Sequence, residues 1–304
     1  MLERPRKNFL LLARGAAQAT RMEPLSSEEI QLAVQASLAE DLGPGDVTTL
    51  STVPPHAQAT AVISAREPLV VAGLAFARQA FRSLSMEIDL VEQCSDGEKL
   101  PPGRSLLNVR GQARAILTAE RVALNFLQRL SGIATLTRTF VDAIAGSKAQ
   151  ILDTRKTTPG WRRFEKYAVA CGGGRNHRMG LFDLVLIKDN HLLALRDEQP
   201  NAIAAAVARA RAAYPNLQVE VEADTIEQVR HATEAGADII LLDNMNTDDL
   251  RAAVKIAAGR AKLEASGGVN LNTVRGIAET GVDYISVGAL THSARAIDIG
   301  LDFK

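Results

Sequence analysis

Gln218-Val219-Glu220-Val221-Glu222, a helical stretch at 225–235, and Asp238-Ile239-Ile240-Leu241-Leu242-Asp243 together decide the fold. An apolar, β-branched run ending in a polar residue, then a helix, then a second such run is the signature of a βα unit. The unit repeats in both directions along the second half of the chain. Strands are expected at 150–153, 184–188, 218–222, 238–243, 262–266 and 283–288, with helices at 202–213, 225–235, 248–258 and 272–280, the last three each following a Thr, Asp or Asn suited to capping. From Glu222 to Asp243 to Glu264 to Ser286 the interval holds at 21 or 22 residues. Strand, helix and two short loops fill about that length, so the array is α/β and reads as either a (β/α) barrel or a doubly wound sheet.

The first half is less regular. An amphipathic helix is expected over 24–40, with Ile30, Val34 and Leu38 on one face, followed by a loop at 40–46. Short strands at 59–64, 69–72, 87–92 and 105–111, with a helix at 75–83, give an α+β pattern. A helix at 118–130 closes this half and places a domain boundary near residue 130.

Bulk composition narrows the function classes. The chain has 304 residues, 46% of them hydrophobic, enough for a sizeable core in one large domain or two ordinary ones. Its 35 Lys and Arg balance 35 Asp and Glu, so the electrostatic footprint of a nucleic-acid or acidic-membrane binder is missing and anion specificity has to come from local clusters. No apolar run approaches the roughly 18 residues that a membrane helix needs. Cys94 and Cys171 stand in no metal or redox spacing, which points to unpaired thiols in a reducing, cytoplasmic setting and to no assigned role. Residues 1–22 carry Arg4, Arg6, Lys7, Arg14 and Arg21 against Glu3 alone; an extension, or a start at Met22, is preferred over a targeting peptide.

In a βα barrel the strand-end residues converge at one mouth, and here they are Asp153, Lys188, Glu222, Asp243 and Ser266. Two cation- and glycine-rich loops stand beside them, Asp153-Thr154-Arg155-Lys156-Thr157-Thr158-Pro159-Gly160 and Gly172-Gly173-Gly174-Arg175-Asn176-His177-Arg178. Arginine forks grip carboxylate or phosphate, lysine acts as a point charge, and glycine lets backbone N–H groups approach an anion, so a polyanionic substrate is implied. Glu222 and Asp243, on adjacent strand ends, suit ribose hydroxyls or a hard cation such as Mg²⁺. Glu220 and Glu222, two apart on one strand, point to the same side and need partners or ions. Each feature also has a plainer reading: a lone strand-end charge is usually a solvated rim residue, His177 could be structural, and Gly267-Gly268 and Gly288 could be tight turns.

Taken together, these segments, with Glu165-Lys166-Tyr167-Ala168-Val169 and Leu186-Ile187-Lys188-Asp189-Asn190-His191, resemble the quinolinate phosphoribosyltransferase family. The likeness extends to 40–49, Glu120-Arg121 with Asn125, 131–135, Leu242-Asp243-Asn244, Ala265-Ser266-Gly267-Gly268 and 286–291, covering nearly all of 24–304. Trp161, where the family usually has Leu, and the leading 22 residues are the departures. The resemblance implies an N-terminal α/β sandwich domain (23–130, with 289–304 returning to it), an incomplete (β/α) barrel at 131–288, and homodimers in which the neighbour closes each mouth. It implies a magnesium-dependent glycosyltransferase of pyridine nucleotide (NAD) biosynthesis that converts quinolinate and phosphoribosyl pyrophosphate to nicotinate mononucleotide, pyrophosphate and carbon dioxide. Carried over, Arg155, His177 and Arg178 would hold the quinolinate carboxylates, with Arg121 arriving from the partner. Lys156 and Lys188 would face pyrophosphate or dicarboxylate, Glu222 and Asp243 the ribose and Mg²⁺, and Ser266, Gly267, Gly288 and His292 the 5′-phosphate. The competing readings are a phosphoribosyltransferase acting on nicotinate or another anion without decarboxylation, disfavoured by the number of cations, and a non-catalytic anion-binding barrel, disfavoured by Glu222 and Asp243.

Overall fold

The computed structural model describes residues 24–304; the reading of residues 1–22 lies outside the described residues. Helix α1 (Ser27–Leu42) starts at a capping box in which Ser26 Oγ accepts from Glu29 N and the Glu29 carboxylate accepts from Ser26 N. The loop expected at 40–46 ends as a second cap, since Asp46 accepts from Thr49 N and starts the short helix α2 (Val47–Thr52). Then follow β1 (Gln58–Ala65), β2 (Leu69–Val70), α3 (Leu74–Leu84), β3 (Asp89–Glu92), β4 (Lys99–Leu100) and β5 (Ser105–Gln112). Strands β1, β5 and β3 form an antiparallel sheet whose far edge is supplied by residues from the other end of the chain, Ile299–Phe303, with Ala61 opposite Phe303 and Ala65 opposite Ile299.

Helix α4 (Ala113–Ala143) is 31 residues long, far longer than the 118–130 read from sequence. The buried positions Val122, Phe126 and Leu130 continue without a break into Ile133, Ala134, Thr137 and Phe140, so the apolar face carries the helix on. Residue 130, where a boundary is expected, therefore lies inside continuous helix. An aromatic stack packs the two halves together: Phe76 lies on Phe126 at 4.7 Å, Phe126 on Trp161 at 5.1 Å, and Phe164 meets Trp161 edge-on at 5.9 Å.

The rest of the chain alternates strand and helix: β6 (Gln150–Leu152), α5 (Arg162–Cys171), β7 (Val185–Ile187), α6 (Asp189–Leu193), α7 (Ala202–Ala213), β8 (Val219–Ala223), α8 (Ile226–Glu234), β9 (Ile239–Asp243), α9 (Thr247–Ala257), β10 (Lys262–Ser266), α10 (Val274–Ala278), β11 (Tyr284–Ser286), α11 (Ala289–His292) and β12 (Ile299–Phe303). The parallel strands pair in the order β7-β8-β9-β10-β11-β6, and Arg175 bridges to Leu152 at the outer edge of β6. Between that bridge and β7 no strand pairing occurs among the described residues, so the wall is an incomplete barrel, the alternative that the spacing leaves open against a doubly wound sheet. Thr225 and Asn246 cap α8 and α9, whereas α10 is only five residues long, shorter than the helix expected at 272–280.

Where α4 meets the chain leading into β12, Gly132 is required by contact: a Cβ there would lie 1.9 Å from the Arg295 carbonyl oxygen. Gly132→Ala should lower stability by about 1–3 kcal/mol, the range for forced overpacking. Thermal unfolding of the variant checks this, and an unchanged midpoint would show that the 295–296 segment simply moves away.

Candidate active site

The C-terminal ends of the barrel strands open into one cavity of about 450 Å³. Its wall includes Asp153, Arg155, Lys156, His177, Arg178, Lys188, Glu222, Asp243, Glu264, Ser266 and Ser286. The parallel register explains the convergence, because Glu222 pairs with Leu241, Leu241 with Glu264, and Asp243 with Ser266. Side chains level with one another on parallel strands share a face, so Glu222, Leu241 and Glu264 enter the barrel as one layer.

Asp153, at the end of β6, is fully buried and forms an ion pair with the equally buried Lys166 of α5. The same carboxylate accepts from Asn176 Nδ2 at 2.6 Å and from His177 N at 2.8 Å, while Lys166 Nζ also donates to the His177 carbonyl at 2.9 Å. Burial raises the Asp153 carboxyl and lowers the Lys166 ammonium, and their mutual attraction opposes both shifts. Two sequence-distant loops, 154–158 and 176–178, are thereby fixed against each other. Glu165, next to Lys166 and also buried, accepts from Thr158 N and Oγ1 and from Arg129. Arg129 donates to the Thr291 carbonyl, and Thr291 Oγ1 donates to the Lys156 carbonyl at 2.7 Å, which ties the Lys156 loop to α11.

His177 Nε2 lies 3.0 Å from Glu220 and 3.4 Å from Glu264. Burial presses the imidazole toward neutrality, but the negative charge of Glu264 and the hydrogen bond to Glu220 outweigh it and raise the pKa to about 10. The guanidinium groups of Arg155 and Arg178 repel each other; burial, and then Arg155, lower the Arg178 pKa. Arg155 Nε is buried with no hydrogen-bond partner. Two adjacent half-buried guanidiniums, one with an unpaired donor, make a receptor for a bidentate anion.

Lys188 reaches Glu222 at 3.1 Å. Beside them, carboxylate oxygens of Glu222, Asp224 and Asp243 lie within 4.8 Å of one another, and burial, followed by the charges of Asp243 and Asp189, raises the Asp224 carboxyl. This all-oxygen set fits a hard divalent cation. Asn244, at φ 54°, donates to Asp243 at 2.7 Å and orients it. Gly267, at φ +96°, has room only for hydrogen, since a Cβ would lie 2.1 Å from Asn244 Oδ1. At Gly288 an added Cβ would approach His292 Nε2 at 3.1 Å and Lys156 Cδ at 3.2 Å, so these three residues meet at one end of the cavity.

Of the residues singled out in the sequence, Arg155, Lys156, His177, Arg178, Lys188, Glu222, Asp243 and Ser266 line this cavity, with Gly267, Gly288 and His292 beside it. Arg121 does not; it is exposed on α4 together with Asn125. Sequence reading gives no site role to Lys166, Glu165, Glu264, Asp224 or Ser286. Asp224 continues the period-two pattern Glu220, Glu222, which is a usable signal.

The chain matches the family description "Quinolinate phosphoribosyl transferase, C-terminal domain" over residues 133–302 and "Quinolinate phosphoribosyl transferase, N-terminal domain" over 46–131. It is 45% identical over 276 residues to the nicotinate-nucleotide pyrophosphorylase [carboxylating] of Mycobacterium leprae, covering 88% of this chain and 95% of that one. The probable nicotinate-nucleotide pyrophosphorylase [carboxylating] of Bacillus subtilis is 43% identical over 264 residues, covering 86% and 89%. The solved nicotinate-nucleotide pyrophosphorylase of Francisella tularensis superposes with a TM-score of 0.88 at 41% identity, over 94% of this chain and 99% of the other.

Removing one member of a buried ion pair strands the other, so Lys166→Met should destabilise the protein by about 3–5 kcal/mol and weaken anion binding by misplacing the 154–158 and 176–178 loops. Urea unfolding checks the first effect and calorimetric titration the second. Because the folded pKa of His177 is raised above its ordinary value of 6.5 to about 10, its contribution to stability is full below about 6.5 and is lost as pH rises through 10. Ring-nitrogen NMR at pH 8 should show an imidazolium; a neutral ring would contradict the assignment.

Proposed function

The chain belongs to the quinolinate phosphoribosyltransferase family and converts quinolinate and phosphoribosyl pyrophosphate to nicotinate mononucleotide, pyrophosphate and carbon dioxide; on that premise we propose how its own residues carry the reaction. The observation that carries the reading is the Arg155–Arg178 pair, two mutually repelling guanidiniums beside a charged His177. The adjacent carboxylates of a pyridine-2,3-dicarboxylate relieve that repulsion better than one carboxylate would.

In this reading His177 stands at the ring edge beside the 2-carboxylate, with the ring nitrogen toward the ribose carbon that loses pyrophosphate. Charge building on the leaving group is met by Lys156 and Lys188, and the electron-poor ribose carbon faces Glu222 and Asp243. Ser266, the Gly267 turn, Gly288 and His292 offer hydroxyl, backbone and imidazole donors to the 5′-phosphate. No protein nucleophile is required, and the work is orientation and electrostatics. Mg²⁺ fits the Glu222, Asp224 and Asp243 oxygens and would supply charge neutralisation to the pyrophosphate. After transfer, the cationic ring nitrogen is an electron sink for the neighbouring carboxylate, so decarboxylation needs no organic cofactor.

Arg121 completes the cation set only from a second subunit, because in its own chain it stands on the outer face of α4. A two-fold dimer would exchange this residue twice, once at each mouth. Cytoplasmic residence belongs to the same reading and rests on the two free, partly buried thiols, Cys94 and Cys171. No helix among the described residues is long and apolar enough to cross a membrane.

Purified protein given phosphoribosyl pyrophosphate, Mg²⁺ and either pyridine acid should convert quinolinate and leave nicotinate; equal turnover of nicotinate would overturn the reading. Arg178→Ala should weaken quinolinate binding by about 1.5–3 kcal/mol and phosphoribosyl pyrophosphate binding much less, as titration calorimetry can resolve. Arg121→Ala and Lys188→Ala homodimers should each be nearly inactive. Refolded together, they should recover about one quarter of wild-type activity, because half the dimers are mixed and each mixed dimer has one intact site. Mixed dimers without any recovery would show that the sites are not shared.

A further inference from the structure

His177 differs from the other cavity cations in what stands behind it. Glu220 of β8 and Glu264 of β10 are both buried, both reach its Nε2, and Glu220 Oε1 has no hydrogen-bond partner of its own. Two carboxylates beside it offset much of the positive charge that an anion in the cavity meets. They do keep the imidazole protonated and occupy its Nε2, with Glu220 at 3.0 Å and Glu264 at 3.4 Å. Nδ1 is then the remaining ring nitrogen of a residue that lines the cavity, and it has no hydrogen-bond partner among the described residues.

The other cations are poorer acids for this position. Guanidinium does not release its proton in proteins, which removes Arg155 and Arg178. Lys188 is tied to Glu222 at 3.1 Å, and Lys156 lies beside Gly288 and His292.

Resting on the reading that the cavity takes quinolinate, we propose that His177 Nδ1 donates the proton that replaces carbon dioxide on the pyridinium ring, with Glu220 and Glu264 as positioning residues. The bond between ring carbon 2 and its carboxylate breaks, and carbon dioxide leaves. The bonding pair stays on carbon 2 beside the cationic nitrogen and takes the Nδ1 proton to form the new C–H bond. His177 becomes a neutral imidazole with its Nε2–H still on Glu220, and solvent water returns the Nδ1 proton after product leaves.

The test uses the full chain with phosphoribosyl pyrophosphate, Mg²⁺ and quinolinate labelled in its 2-carboxylate, following pyrophosphate release, labelled carbon dioxide release and nucleotide mass. Wild type should release both at one rate and form only the decarboxylated nucleotide. In His177→Gln pyrophosphate release should outrun carbon dioxide release about tenfold or more, at the low end of what a positioned acid contributes, and a nucleotide heavier by one carboxyl group should accumulate. Glu264→Gln, a change that preserves shape, should show a smaller imbalance in the same direction and serves if His177→Gln does not fold. Equal release in both variants, at whatever common rate, would make His177 a substrate ligand only and overturn the proposal. Wild type that left quinolinate untouched, or released pyrophosphate without carbon dioxide, would instead defeat the underlying reading.

Discussion

The buried Asp153–Lys166 ion pair is the constraint on which the mouth of the barrel depends. Burying two charges carries a desolvation penalty of several kcal/mol per ion, so such a pair is a poor route to stability. What this one supplies is geometry. Every strong donor around Asp153 comes from the 176–177 segment or α5, so the strand end, the helix and the histidine loop have one mutual arrangement. Glu165, one residue away, does the same for Thr158, Arg129 and, through Thr291, Lys156. The pair sits behind Arg155 and His177 and leaves them free to meet a ligand.

The barrel then divides labour by position. Cations stand on the loops after β6 and on either side of β7, next to the open edge of the strand wall. Carboxylates stand on β8, β9 and β10, where a rigid register sets their spacing: Glu222 and Glu264 flank Leu241, and Asp243 sits level with Ser266. Glycines and small polar residues stand at the ends of β10 and β11, where Gly267 and Gly288 let Asn244, Lys156 and His292 come close. Charge that must be held in place is on strands, and charge that must reach a substrate is on loops.

How much of this is legible in the sequence follows from which signals are local. Strand ends and their 21–22-residue spacing are local and periodic, so Glu222, Asp243 and Ser266 can be placed at one mouth from the residue pattern alone. The exposure of Arg121 can also be read, from Val122, Phe126 and Leu130 on the opposite face of the helix. Lys166 and Glu165 cannot, because charged residues in a ten-residue helix ordinarily face water, and only the tertiary positions of Asp153 and Arg129 reverse that. The length of α4 escapes for a related reason: a boundary expected near 130 hides the continuing apolar face through Phe140. Glu264 serves only as a spacing marker because its partner, His177, lies far away in the chain.

The most direct measurement is a crystal structure of the protein with quinolinate bound. Both carboxylates should lie in the cavity, within hydrogen-bond reach of Arg155, His177 and Arg178, with Asp153 and Lys166 still paired behind them. A dicarboxylate seated elsewhere, or one that engages neither guanidinium, would contradict it.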